Sequence, residues 1–205
     1  MKSLVKIALL LTIAATVSCK KSAEHTPAEN KTWADSSRIE WTGFDPNGAH
    51  KGFFDLKDGK IRIEDGRVVG GVFNIDIASM ETQEPATAEI RGMMLDKLRG
   101  PDFFNILKFP SATFEILEVT PYTGNKFVGV NGANALVHGQ LTMLGKSLVI
   151  SFPAKIELND KRILVDAAFT LDRTDWGMES ASQPGDDLYV EKAVDIRVKI
   201  NAGRS

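Results

Sequence analysis

Every second residue from Leu148 to Leu158 is apolar: Leu148, Ile150, Phe152, Ala154, Ile156 and Leu158. Asn159-Asp160 interrupts the run, and Ile163, Val165, Ala167, Phe169 and Leu171 take it up again. A helix advances about 100° per residue and would scatter these side chains around its axis, whereas a strand puts all of them on one face. Two such segments joined by a short polar turn form an antiparallel pair with one face committed to an apolar interior. Val194, Ile196, Val198 and Ile200 repeat the pattern near the end of the chain.

The same period organises the first half. Ile39, Trp41 and Gly43 alternate with Arg38, Glu40 and Thr42, predicting a first strand from about Trp33 to Phe44, and Asp45-Pro46-Asn47-Gly48 is a turn cluster. His50, Gly52, Phe54 and Leu56 form one face of a second strand, which Asp58-Gly59 is expected to end. Ile61 and Ile63 mark a third, Asp65-Gly66 is a hairpin signal, and Val69, Gly71, Phe73, Ile75 and Ile77 mark a fourth.

The meander breaks between Glu81 and Asn105. Pro85 suits a first helical turn, Ile90, Met94 and Leu98 recur at helical spacing with Met93 and Leu95 beside them, and Gly100-Pro101 stops the helix. This stripe either packs on the sheet or lines a pliable ligand mouth. Phe103-Phe104 then lead to Pro110, where a compact turn becomes a strand with Ala112, Phe114 and Ile116 facing inward. The pair reads as an aromatic plug near one end of a curled sheet. Phe127, Val128 and Val130 start another strand, which continues from Leu136 to Met143 into the tight turn Leu144-Gly145-Lys146. Alternation at both ends of the domain, without a βαβ rhythm, predicts an all-β fold: a closed, lipocalin-like antiparallel barrel of about eight strands with a short helical insert. A barrel of that size is filled by side chains or holds one small ligand.

The first stretch is an address. Lys2 and Lys6 precede an apolar segment, Ile7 to Val17, too short to span a bilayer with margin, so residues 1–18 read as a signal peptide. The single cysteine, Cys19, follows Thr16-Val17-Ser18. A lone exported cysteine has no partner for an intramolecular disulfide. It resembles the lipid-modified cysteine of bacterial lipoproteins, although Thr16 stands where Leu is usual. Secretion with a free thiol, or a retained anchor, are the competing readings. Residues 19–32, His25 included, carry too little apolar surface to offset the entropy of ordering and read as a tether. Acyl chains on Cys19 would hold the domain, residues 33–205, to an envelope membrane; Lys20 is not the Asp associated with inner-membrane retention in some bacteria, which hints at the outer membrane, facing periplasm or surface, and leaves the inner one open. The net charge of −2, spread without blocks, offers no basic face to nucleic acid.

Four segments resemble one family. Leu98-Arg99-Gly100-Pro101-Asp102-Phe103-Phe104-Asn105, followed by Lys108-Phe109-Pro110-Ser111-Ala112-Thr113-Phe114, resembles the Ser-Asp-Phe-Phe-Asp and Tyr-Pro motif of the YceI-like lipid/polyisoprenoid-binding family. Pro101, Asn105 and Phe109 replace the usual Ser, Asp and Tyr. Gly71 to Ser79 resembles the family's Gly-x-Phe-x-Ile-Asp-x-x-Ser strand, His138 to Gly145 its Gly-x-Leu-Thr-Ile-x-Gly turn, and Phe169 to Gly177 its Asp-Arg-Thr-x-Trp/Phe-Gly motif. The order is right and covers about Trp33 to Ile200. The resemblance implies an exported barrel whose tunnel holds an isoprenoid chain, such as that of a respiratory quinone or another polyprenyl lipid, with no further cofactor.

A long apolar tail needs a long apolar tube, and Phe54, Phe73, Phe114, Phe152 and Phe169 are the candidates for its lining. Strand phase does not separate lining from plain core for any one ring. Arg173 continues the face of Phe169 and Leu171 if the strand stays regular, and so either meets a polar head or pairs with Asp172, Asp175 or another carboxylate. Trp176 is a headgroup platform or a packed end-cap. His50 and His138 are not at metal-ligand spacing, and no nucleophile elbow, phosphate loop or dinucleotide fingerprint occurs. A lipid-binding envelope lipoprotein is therefore the leading reading. The alternatives are an envelope interaction protein with a packed interior and no ligand, and, last, a lipid-modifying enzyme. An edge strand near either end leaves room for a homodimer.

Overall fold

Tight two-residue turns set the strand registers. Asp65-Gly66 and Leu144-Gly145 both have two residues at positive φ (50° and 73°; 54° and 75°), the geometry whose twist matches paired strands. The computed structural model describes residues 37–83, 87–124, 129–159, 161–186 and 189–203, and the backbone of Glu29–Asn30. Its elements are β1 (Glu29–Asn30), β2 (Arg38–Asp45), β3 (Gly48–Glu64), β4 (Arg67–Thr82), α1 (Ala88–Arg99), β5 (Ser111–Pro121), β6 (Ala135–Met143), β7 (Lys146–Leu158), β8 (Arg162–Asp172), a 3-10 turn (Arg173–Trp176) and β9 (Ala193–Gly203).

Strands β2 to β9 each pair antiparallel with the next, and β9 pairs back onto β2, with Ile39 opposite Val198 and Trp41 opposite Ile196. The result is a closed eight-stranded up-and-down barrel with one short helix. Closure uses the edges of β2 and β9 that an open sheet would offer to a second copy. β1 adds to β3 at Lys60 and Ile61, beyond the stretch of β3 that β2 covers. Glu29 and Asn30, placed in the tether by composition, are thus strand.

Two sequence expectations fail for one reason. Asp58-Gly59 does not end a strand: β3 runs through it for 17 residues, and its register against β4 shifts between Leu56 and Asp58. One extra residue in a bulge swaps the faces, so the inward positions pass from His50, Gly52, Phe54 and Leu56 to Ile61 and Ile63 without a break. Asn74 on β4 donates to the Asp58 carboxylate across this point. Another shift, between Arg62 and Ile63, turns Val68 inward in place of Val69. On β5 a shift between Ile116 and Glu118 leaves Leu117 exposed.

The helix is shorter than its periodicity predicts. It begins at Ala88, with Thr87 Oγ1 accepting from Ile90 N at 3.3 Å, and ends at Gly100, whose N–H bonds Lys97 O. Pro85 lies outside the described residues, as do Cys19, His25, Trp33, Phe127 and Val128.

The antiparallel order gives the barrel two distinct ends. The β2–β3 and β6–β7 turns, the α1 connection and the 173–192 connection lie at one. The β3–β4 and β7–β8 turns and Ser37 lie at the other. There Ser37 Oγ donates to Asn201 O (3.0 Å) and accepts from Asn201 N (2.9 Å), and Ile61, Val68, Ile163, Ile200 and Ala202 pack into a cluster.

Candidate functional site

The barrel interior is hollow. A cavity of about 810 Å³ runs from Asp45, His50 and Arg173 down to Ile61, Val68 and Ile163. This falls toward the upper end of the roughly 300–1,000 Å³ typical of small-molecule sites. Phe114, Ile150, Val165, Phe169 and Val198 face the interior yet are only half-buried, because part of each borders the cavity. A solid core would have covered them.

Aromatic side chains shape the wall. Phe152 on β7 stacks on Phe169 of β8 with ring centroids 4.1 Å apart and 11° between planes, and Phe114 of β5 lies 5.7 Å from Phe152. Two glycines let rings lie back against the sheet. A Cβ on Gly139 would come within 2.2 Å of the Phe114 ring, and one on Gly52 within 2.3 Å of the Trp41 ring. At these positions absent side chains keep large rings against the wall.

All the ionisable side chains in the lining, Asp45, His50, Lys97 and Arg173, sit at one end. His50 Nε2 bonds Asp45 Oδ2 at 2.9 Å, and the same carboxylate accepts from the N–H groups of Asn47 and Gly48 through Oδ1. Burial pushes the Asp45 carboxyl up, but the bond to His50 and the backbone N–H groups outweigh it and hold the carboxyl below its ordinary range. Lys97 pairs with Asp102 at 2.7 Å.

Arg173 is 5% exposed. Strand β8 ends before it, so it does not continue the face of Phe169 and Leu171. It opens the 3-10 turn, where Asp172 Oδ1 accepts from Thr174 N at 2.9 Å. Its partners are carbonyls, not the carboxylate anticipated as its structural alternative. Nε donates to Glu191 O at 3.0 Å, Nη2 to Val190 O at 2.9 Å, and Nη1 to Met178 O. The guanidinium lies 5.4 Å from the centre of the Phe103 ring. Burial lowers its pKa, Asp172 and Tyr189 oppose that, and it stays a cation. Glu191 N in turn bonds Phe44 O at 2.8 Å, so the clamp ties the 173–192 connection to β2.

Trp176 is a packed collar residue as well as a lining one. It is 4% exposed, its Nε1 donates to Leu141 O at 3.3 Å, and it clusters with Leu141 and Met178. Phe104 packs edge-on against Phe54 at 5.4 Å. Segments far apart in sequence, Asp102 to Phe104, Leu141 to Leu144 and Arg173 to Met178, thus assemble one collar around the open end.

Phe54, Phe73, Phe114, Phe152, Phe169, Arg173 and Trp176 all line the cavity. Sequence reasoning missed Trp41, Asp45 and the closed-end residues Val68 and Ile163 as lining. For Trp41 the signal existed, since it shares the inward phase of Ile39; for Val68 a bulge hid it. His138 bonds Ser151 Oγ at 2.7 Å on the outer surface, away from the cavity. Among the described residues no three His, Cys, Asp or Glu side chains gather as a metal site, and no helix is long and apolar enough to cross a membrane.

Fold and cavity together define a closed antiparallel barrel with an apolar chamber and a polar collar at one end. By its match over residues 31–202, the chain belongs to the YceI-like domain family. Its fold is similar to that of Burkholderia cenocepacia BcnA, at 20% identity over 82% of this chain and 96% of that one, with a TM-score of 0.63. It is similar also to a polyisoprenoid binding domain from Saccharophagus degradans implicated in plant cell wall breakdown (14% identity, 87% of this chain, 100% of that one, TM-score 0.61). A Campylobacter jejuni YCEI protein aligns at 18% identity over 74% of this chain and 84% of that one, with a TM-score of 0.54. Comparison with curated proteins gives no match.

Proposed function

We propose that this protein binds one isoprenoid lipid, quinone-like or polyprenyl, and stores or carries it within the cell envelope. The observation that carries the reading is the division of the cavity: about 810 Å³ of apolar chamber with every ionisable lining residue at one end. That division matches an amphiphile whose tail lies among Phe114, Phe152 and Phe169 and whose head stays near Asp45, His50 and Arg173. Each methylene transferred from water gains about 0.8 kcal/mol, so a long tail supplies most of the affinity without polar contacts. The solved neighbour described as a polyisoprenoid binding domain supports the same ligand class. The role proposed is binding: Arg173 is bonded to the carbonyls of Glu191 and Val190, Lys97 to Asp102, and Asp45 to His50 and the β2–β3 turn. An acylated Cys19, exposed by removal of residues 1–18, would fix the barrel to the envelope.

Protein purified from membranes in mild detergent and extracted with organic solvent should release about one prenyl lipid per chain, identified by mass spectrometry. Repeated recovery of none, or of diacyl phospholipid alone, would count against the proposal. The intact mass of the same preparation tests acylation at Cys19.

A further inference from the structure

Exposed large hydrophobic side chains among the described residues divide into two sets. Val72, Leu117 and Val149 belong to strands β4, β5 and β7, while Ile90, Met93 and Leu107 all belong to the connection between β4 and β5. These three are 57%, 68% and 98% exposed. Ile90 and Met93 are one helical turn apart on a single face of α1, and both line the cavity, so the exposed patch is continuous with the mouth. No residue of α1 is buried, and Met94, Leu95 and Leu98 make its contacts with the core. Leu107 projects from the turn that follows, held by bonds from Lys108 N and Phe109 N to Asn105 O (both 2.9 Å), while its neighbour Ile106 packs inward.

We propose that this rim seats the open end of the barrel on a lipid bilayer, which makes the mouth a port between membrane and cavity. The inference rests on the lipid-binding reading above, because it assigns the rim to the passage of that ligand. A tail that left through a mouth in water would expose its full apolar length, whereas a mouth resting on acyl chains keeps it out of water throughout. Ile90, Met93 and Leu107 enter the interface. Lys108, next to Leu107, carries its charge on an apolar stem suited to the headgroup level, while Lys97 keeps its pair with Asp102. The chain outside the structure fits this orientation. β1 joins the fold toward the closed end, and the stretch from Cys19 to Glu29 spans at most about 35 Å when extended, which lets an anchored barrel turn its mouth to the surface.

The test places an environment-sensitive fluorophore at Leu107→Cys, Met93→Cys or Val149→Cys, each in the full chain carrying Cys19→Ser. Vesicles of phosphatidylcholine and phosphatidylglycerol with brominated acyl chains are then added. Probes at 107 and 93 should shift to the blue and be quenched at least twofold, while the probe at 149, exposed on the outer face of β7 and outside the rim, is quenched less than either. Equal quenching at all three sites, strongest quenching at 149, or none anywhere overturns the proposal. The readout is positional, so a leader segment in the bilayer does not mimic it. Solvent extraction of the same samples separates the two readings. A barrel without lipid whose rim inserts upholds docking and defeats the ligand assignment; a loaded barrel whose rim stays in water does the reverse.

Discussion

The two ends of the barrel are built from the same strands and serve opposite demands. At the closed end Ile163 and Ala202 are fully buried, Ile61 and Val68 nearly so, and Ser37 and Asn201 exchange hydrogen bonds across the β2–β9 seam. At the open end the covering helix has no buried residue, the apolar side chains of its cavity face reach solvent, and a buried cation binds carbonyls in place of packing. The element without a buried side chain stands at the mouth, and an element with so few buried contacts is the one expected to open most readily.

Substitutions at the two ends sharpen that contrast. Ile163→Ala should cost about 2–5 kcal/mol in denaturant unfolding, because the closed end cannot relax around the lost methyl groups. Met93→Ala at the open end should stay within about 0.5 kcal/mol. Equal costs at the two positions would erase the distinction. Arg173→Met comes next, at about 1–3 kcal/mol, since it leaves the carbonyls of Met178, Val190 and Glu191 without their donor. Arg173→Lys should rescue little, because an ammonium cannot reproduce the planar fork. Hydrogen exchange should show the loss centred on the 173–192 connection.

Gly139→Ala should destabilise by about 1–3 kcal/mol, as its methyl meets the Phe114 ring and the Glu115 carbonyl. It should also lower lipid recovery, since Phe114 is pushed into the lumen; unchanged recovery would place the tail elsewhere. The smallest effect is electrostatic. The hydrogen bond from the Thr174 hydroxyl, with the Thr174 N–H, Lys192 and Arg173, outweighs burial and holds the Asp172 carboxyl below its ordinary 3.8. A carboxyl depressed in the folded state stabilises above the unfolded pKa and loses that contribution as pH falls below it. Asp172→Ala should therefore cost about 0.5–1 kcal/mol at neutral pH, screened because the residue is exposed. The gap from the unsubstituted protein should close on titration below pH 3.8.

Much of this architecture was legible in sequence. Leu148 to Leu158 and Ile163 to Leu171 announced β7 and β8 by period alone, and Asp65-Gly66 and Leu144-Gly145 announced their turns, because these features are local. The Phe103-Phe104 pair read as an end plug, and both rings do lie in the collar. Bulges were not legible: the extra residues near Lys57 and Val69 appear in sequence as a broken strand or a shifted phase, and only the partner strand reveals them. Nor could period distinguish a lining ring from a core ring, since both face inward. The partners of Arg173 were hidden for a different reason. They are backbone carbonyls of a connection whose path no side-chain pattern encodes.

On the proposed function, the hollow between Phe114, Phe152 and Phe169 is the seat of a prenyl tail. Diffraction from crystals of the protein purified with its native lipid tests it most directly. Continuous tubular density should run from the collar at Arg173 to the floor at Ile163, with the head beside Asp45 and His50. Phenyl rings collapsed across the lumen, or a chamber holding only water, would contradict it.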